Sequence, residues 1–314
     1  MSGHEGHDAH HNHHAHAHHG AHGHEPMVQI DEAEWARLVE STEREGEVYA
    51  VFRREAAQKV AVLRPPTAPP VRRILDVGCG PGVATVEWAQ RFPDAEVVAA
   101  DASPAMLERA AARAAEFGVG DRVTTYRAEL PDGLADLPPA DLIWISMALH
   151  HVGDETQALR ALRDVLAPGG LLVIAEFGDP TRVFPDDTTV GGAGFVERLD
   201  QAEAAWFAAM RAGLPDSVPE PELATVLRGT GFDVLSDEVL HHRFERPLAP
   251  TAQLVVRNRL LRSRRQLEEF LAPGDLATLD VVLDPDDPQG TEDRDALILD
   301  ASQRIVIAVA ENAG

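Results

Sequence analysis

The chain has 314 residues, with 52 acidic side chains against 28 basic ones, a formal net charge of −24, and one cysteine. The length suffices for one enlarged domain or a domain with a small cap, a lone thiol rules out an internal disulfide framework, and a field of this sign repels phosphate backbones, which argues against nucleic acid as a partner. With no stretch of membrane-spanning length and no N-terminal apolar run of the signal-peptide kind, the expected location is the cytoplasm.

Residues 1–26 come first, with eleven of the fifteen histidines between His4 and His24. Gly, Ala, Asp and Asn separate them with almost no large apolar side chain, so burial cannot offset the entropy of ordering and disorder is expected. Neutral imidazoles at this density, His10, His11, His13 and His14 among them, can chelate divalent metals adventitiously. Their spacing is irregular and no cysteine joins them. No metal set is expected in the rest of the chain.

Residues 27–70 read as an N-terminal helical segment. Trp35, Leu38, Val39, Val48, Val51, Phe52, Val60 and Leu63 keep helical spacing across Asp31–Leu63, and Gly46 predicts a break into two helices. Tyr49 and Arg53, four apart, share a helix face. Pro65, Pro66, Pro69 and Pro70 end the segment.

Residues 71–180 carry the most informative stretch, Ile74–Gly82, reading Ile-Leu-Asp-Val-Gly-Cys-Gly-Pro-Gly. A short apolar run breaking into alternating glycines predicts a buried strand, a tight turn and a helix over Val83–Arg91. Without β-carbons, Gly78, Gly80 and Gly82 let a ligand approach the main chain. The next strand ends in Asp101, nineteen positions after Gly82, where a carboxylate at the second strand tip would accept from a ribose diol. A nucleoside ligand is therefore expected.

The strands drawn from the pattern are Arg73–Val77, Glu96–Ala100, Val123–Arg127, Asp141–Ser146 and Gly170–Glu176, with helices between. That alternation implies a parallel sheet with right-handed crossovers and helices on both faces. Ser103–Phe117 is the clearest helix, with Ser103 as N-cap, Pro104 in the first turn and Gly118 just past the end.

Two ligand motifs compete for the glycine turn. The dinucleotide fingerprint Gly-x-Gly-x-x-Gly would need a third glycine where Val83 stands. The spacing Gly78-x-Gly80-x-Gly82, preceded by Asp76, instead resembles motif I of the class I S-adenosylmethionine-dependent methyltransferases. Ala148-Leu149-His150-His151-Val152 is similar to the motif after the fourth strand in the ubiquinone-type and related small-molecule group. Val165–Glu176, with its Pro-Gly-Gly turn, looks like the segment leading into the fifth strand.

The resemblance implies an α/β fold: a doubly wound, mostly parallel seven-stranded sheet of Rossmann-like form, with N-terminal helices and a helical acceptor-side cap. It implies S-adenosylmethionine as cofactor. Asp76 would help hold the methionine amino group, and the turn Gly78, Cys79, Gly80 and Gly82 would face the methionine and ribose. Asp101 would take the ribose. Ala102, Ser103 and Met106 would approach the adenine, Ala128 and Glu129 its exocyclic amine, and Ser146, Met147 and Ala148 the sulfonium side. The N-terminal helices would form a lid, with Tyr49 and Arg53 facing the pocket. His150 or His151 would remove a proton from the acceptor where one must leave, and Glu176 and Asp179, at the carboxyl edge of the fifth strand, could face substrate.

Residues 181–314 resemble the family less. Phe195–Ala212, Glu220–Arg228, Ala249–Leu271 and Leu276–Leu283 read as helices, Gly231–Phe244 as a sixth strand, and Arg304–Ala310 as an apolar strand closing the sheet antiparallel. Trp206, Phe207, Met210 and Phe195 would line the cap, helical spacing making core packing the plainer reading. Asp284–Asp295, acidic and containing prolines, reads as a mobile loop. The arginines at 257, 259, 262, 264 and 265 on one predicted helix read as a solvated face or as partners for the abundant carboxylates. The implied reaction is methyl transfer to oxygen, nitrogen or carbon of a small-molecule acceptor. The competing functions are a nicotinamide-dependent oxidoreductase and a non-catalytic binding protein on the same fold with a metal-binding histidine tail.

Overall fold

The computed structural model describes residues 32–65, 67–216 and 222–310. The histidine-rich stretch, Asp31 and Pro66 lie outside these residues. The chain runs α1 (Glu32–Val48), α2 (Ala50–Leu63), β1 (Arg73–Val77), α3 (Val83–Arg91), β2 (Glu96–Asp101), α4 (Pro104–Glu116), β3 (Val123–Arg127) and β4 (Ala140–Ser146). After a 3-10 turn at Leu149–His151 come α5 (Glu155–Asp164), β5 (Leu166–Phe177), α6 (Phe195–Ala212), α7 (Leu223–Gly229) and β6 (Phe232–Arg243). The last elements are α8 (Pro250–Gln266), α9 (Pro273–Leu283), α10 (Pro288–Ala296) and β7 (Asp300–Ala310).

The strands form one seven-stranded sheet in the order β3-β2-β1-β4-β5-β7-β6. The first five are mutually parallel, and β7 runs antiparallel between β5 and β6. Because both faces are covered, the central strands are apolar at successive positions rather than alternately. Ile74, Leu142, Trp144 and Val173 point to one layer with Phe52, Val86 and Val256. Leu75, Ile143, Ile145 and Leu172 point to the other with Leu159, Leu162 and Leu227.

Register decides where ligand-facing groups collect. Val77 is level with Ala100 on one side and Ile145 on the other, and Ser146 is level with Ala175. The turn after β1, Asp101 at the end of β2, the segment after β4 and Glu176 of β5 therefore share the carboxyl edge of the sheet. An open α/β sheet takes its ligands along that edge.

Four expectations from the sequence are corrected. The N-terminal break falls at Tyr49, not Gly46: a Cβ on Gly46 would lie 3.2 Å from each of three Val83 side-chain carbons, so its missing side chain serves close packing of α1 on the start of α3. Much of Asp284–Asp295 is the helix α10, not a loop. Asp287 caps it by accepting from the Gly290 N–H at 3.0 Å, and Pro288 occupies the first turn. The helix drawn to Leu271 ends at Gln266, and β5 starts at Leu166 rather than Gly170. Three arginines of the basic run on α8 are partnered, Arg259 with Glu203, Arg262 with Glu45 and Arg264 with Asp280.

Candidate active site

The glycine turn has the backbone its sequence demands. Gly78, Gly80 and Gly82 all have positive φ, at 68°, 52° and 83°, a region that costs side-chain-bearing residues energy. Their reasons differ. A Cβ on Gly78 would sit 2.6 Å from the Ala148 Cβ, and one on Gly82 would sit 2.8 Å from Ala110, so these two glycines let the turn pack against its neighbours. A Cβ on Gly80 would meet nothing within 4 Å. That open side is the room a ligand lying on the turn requires. Cys79 between them is buried, and burial pushes its thiol well above the usual range, so it remains a neutral packing group.

Asp101 fixes the rim of this space. One carboxylate oxygen accepts from the Gly80 N–H and the other from the Ser103 N–H, both at 2.9 Å. Each oxygen retains a lone pair, so the group can brace the turn and still accept from a diol. Ala102 and Met106 are half-buried beside it, and the Ser103 hydroxyl caps α4 by accepting from the Met106 N–H. Ala128 donates its N–H to the Asp101 carbonyl, which brings the exposed Glu129 to the same rim.

Asp76 is turned inward. It is 1 % exposed, and the Thr85 hydroxyl donates to it at 2.5 Å. Burial is the main cause of a carboxyl pushed up to about 7, with the Thr85 hydrogen bond and the Arg53 charge pulling the other way. The carboxylate thereby ties β1 to the first turn of α3, the helix that leads away from the glycines.

Tyr49 and Arg53 are both drawn into packing. Arg53 grips Glu87 of α3 through two bonds, at 2.5 and 2.9 Å, and also donates to the Gly46 carbonyl, so it ties α2 to its neighbours rather than presenting a guanidinium to an open pocket. Burial lifts the Tyr49 hydroxyl to about 12, with the Glu45 carboxylate adding to the rise and Arg259, Arg262 and Thr181 opposing it.

The segment after β4 carries an arrangement that the sequence pattern did not join. Met147 has φ 51°, an uncommon conformation for a residue with a side chain, and its N–H donates to the Ala175 carbonyl at 2.8 Å. Ser146 and Ala148 flank it, half-buried. One Glu176 oxygen accepts the Ala148 and Leu149 N–H groups at 3.2 and 2.9 Å, and the other lies 2.6 Å from Nδ1 of His150. A carboxylate on Nδ1 sets the tautomer that leaves Nε2 able to take a proton. The exposed His151 ring stands 4.1 Å from that of His150. Phe177 and Phe207 stand 4.7 and 6.0 Å from His150, ring centre to ring centre. Arg211 of α6 donates to the His150 and Val152 carbonyls at 2.6 and 2.7 Å, clamping the 3-10 turn.

The parts form one constellation. Ala148 touches Gly78 on one side and is bonded to Glu176 on the other, so the glycine turn and the His150–Glu176 pair are neighbours along the edge of the sheet. Asp179, by contrast, faces His241 of β6 at 3.5 Å. Among the described residues, no group of three or more His, Cys, Asp or Glu side chains could hold a metal ion, and no helix is long and apolar enough to cross a membrane.

A family described as a methyltransferase domain matches residues 74–170, which run from β1 through the Pro-Gly-Gly turn. A trans-aconitate 2-methyltransferase of Methylobacterium radiotolerans is 39% identical over 131 residues, covering 40% of this chain and 46% of that protein. A demethylmenaquinone methyltransferase of Deinococcus radiodurans is 34% identical over 196 residues, covering 58% of this chain and 73% of that protein. A crystal structure of a SAM-dependent methyltransferase from Geobacter sulfurreducens, in complex with S-adenosyl-L-homocysteine, is 18% identical with a TM-score of 0.45. It covers 82% of this chain and 91% of that one. The chain spans about half the length, or less, of several curated relatives that it matches.

Proposed function

Because the chain belongs to the class I S-adenosylmethionine-dependent methyltransferases, we propose that it moves a methyl group from S-adenosylmethionine to an oxygen, nitrogen or carbon of a small-molecule acceptor. The observation that carries this reading is the open side of Gly80 beside the Asp101 carboxylate, a cradle for a ribose. The bound cofactor supplies a methyl group already activated by its sulfonium charge.

In this reading Asp101 accepts from the ribose diol while bracing the turn, and Glu129 reaches the adenine amine from the rim. Ala102, Met106 and Ala128 enclose the base, and Ser146, Met147 and Ala148 border the reacting end. Asp76 attracts the methionine ammonium through its negative charge as well as shaping the turn. His150 is the base for an acceptor that must lose a proton, and Glu176 positions it. With the electrophile already activated, alignment and exclusion of water are the chain's main work. Residues 27–70 act as the lid and residues 181–314 supply the acceptor-side cap around a core at 71–180. The protein works in the cytoplasm without nucleic acid, and the histidine tail takes up divalent metal adventitiously.

Calorimetry with S-adenosylmethionine and S-adenosylhomocysteine tests the reading. Both are expected to bind, Asp101→Ala weakening them by about tenfold or more and Glu129→Ala by less, since loss of Asp101 removes a diol acceptor and a brace for Gly80 together. No binding of either ligand would instead favour a nicotinamide-dependent enzyme. Equal effects of the two substitutions would overturn the placement of the ribose.

A further inference from the structure

We infer that the acceptor is a planar aromatic compound bearing a hydroxyl group, held against Phe177 and Phe207 with that hydroxyl at His150; this rests on the methyl-transfer reading above. Phe177 ends β5, a strand whose preceding apolar residues, Leu171 to Ala175, are all buried, yet it is 51 % exposed. A large apolar ring left half in water at the ligand edge of a sheet is a surface that a ligand would cover. Phe207 of α6 stands edge-on to it, with centres 5.5 Å apart and planes at 82°. His150 stands 4.7 and 6.0 Å from the two rings, so the three make one aromatic cluster at the carboxyl edge of the sheet. A flat ring is the shape that gains most from such a wall, through offset or edge contacts with each neighbour.

The charges beside this aromatic cluster select against a carboxylate acceptor. Glu176 lies at His150, so a carboxylate acceptor would add negative charge beside an acid already there. Arg211, the cation packed on the 3-10 turn, is engaged by two main-chain carbonyls and by Glu155 at 3.5 Å. A neutral aromatic hydroxyl carries no such penalty and offers a proton that imidazole can take. In the transfer, the acceptor oxygen forms its bond to the methyl carbon as the carbon–sulfur bond breaks. The sulfur keeps that electron pair and becomes a neutral thioether, and the hydroxyl proton passes to Nε2 of His150 and on to solvent.

The test separates this inference from the reading beneath it. The full-length protein is first titrated with S-adenosylhomocysteine, then, saturated with it, with 2-naphthol, catechol, cyclohexanol and trans-aconitate. Consumption of S-adenosylmethionine is followed with the same four compounds. The aromatic hydroxyls are expected to bind and to be methylated, and the other two to do neither. Phe177→Ala should weaken 2-naphthol binding about tenfold, and Phe177→Tyr should restore most of it; Phe177→Leu should restore little, because it returns apolar area without a ring. S-adenosylhomocysteine affinity should be unchanged in all three. If S-adenosylhomocysteine binds while the aromatic compounds neither bind nor react, or if trans-aconitate is the better acceptor, the acceptor assignment is overturned and the cofactor reading stands. If S-adenosylhomocysteine itself fails to bind, both fall.

Discussion

Asp76 shows how far a residue's role depends on what surrounds it. In the sequence it is the acid that opens a glycine motif; in the fold it is fully buried and bonded to Thr85, with its carboxyl lifted from an ordinary 3.8 to about 7 by desolvation. A raised carboxyl pKa means the folded state holds the proton more tightly than the unfolded chain. Its stabilising contribution is therefore complete below about pH 4, is lost as pH rises toward about 7, and changes little above that. Asp76→Asn keeps a partner for the Thr85 hydroxyl and removes the titration. Without cofactor, the variant's unfolding free energy should gain on the native protein's between pH 5 and 8, by about 1–3 kcal/mol, and the gain should level off at the top of that range. Parallel urea-unfolding stabilities for the two proteins across this window would show that Asp76 does not titrate where its burial places it.

At the scale of elements, α6 does more than cover the sheet, because its last turn holds the segment after β4. The Arg211 guanidinium donates to the His150 and Val152 carbonyls and faces Glu155, whose carboxyl is raised by burial and pulled back by Arg211 itself. Arg211→Ala would leave two carbonyls and a half-buried carboxylate without this cation, costing about 3–5 kcal/mol in chemical unfolding. Arg211→Ala combined with Glu155→Gln should recover part of that loss. A single substitution within 1 kcal/mol of the native protein would mean the clamp contributes little.

The elements themselves were largely legible in the sequence. The helices Val83–Arg91 and Phe195–Ala212 have the boundaries their apolar spacing predicts, and Ser103 caps α4 as expected. What failed was reading glycine and proline as breaks where the fold uses them otherwise. Gly46 permits a close helix contact, and Pro288 opens α10 in its first turn, with Gly290 where a Cβ would meet the Val281 carbonyl oxygen at 2.0 Å. Neither contact is local in sequence. The pairing of His150 with Glu176, 26 residues apart, was hidden for the same reason: it depends on the register of β4 against β5.

Over the whole molecule, the −24 charge is offset locally by ion pairs that fasten the N-terminal helices to the body. Glu43 and Glu47 of α1 meet Arg109 and Arg113 of α4, Glu45 meets Arg262 of α8, Arg53 meets Glu87 of α3, and Lys59 meets Glu238 of β6. The N-terminal segment is thus joined to α3, α4, α8 and β6, and its own Phe52, Ala56 and Val60 lie in the same apolar layer as residues of β1 and β4. Residues 1–25 contain one large apolar side chain, Met1. Their deletion should leave the melting temperature within about 1 °C in metal-free buffer and cofactor affinity within about twofold, because neither burial nor entropy changes enough to register. The same deletion should abolish most uptake of Zn²⁺ or Ni²⁺, which eleven closely spaced imidazoles would otherwise provide. A drop of several degrees on truncation would show that the tail packs on the body of the fold, and undiminished metal uptake would move the binding groups elsewhere.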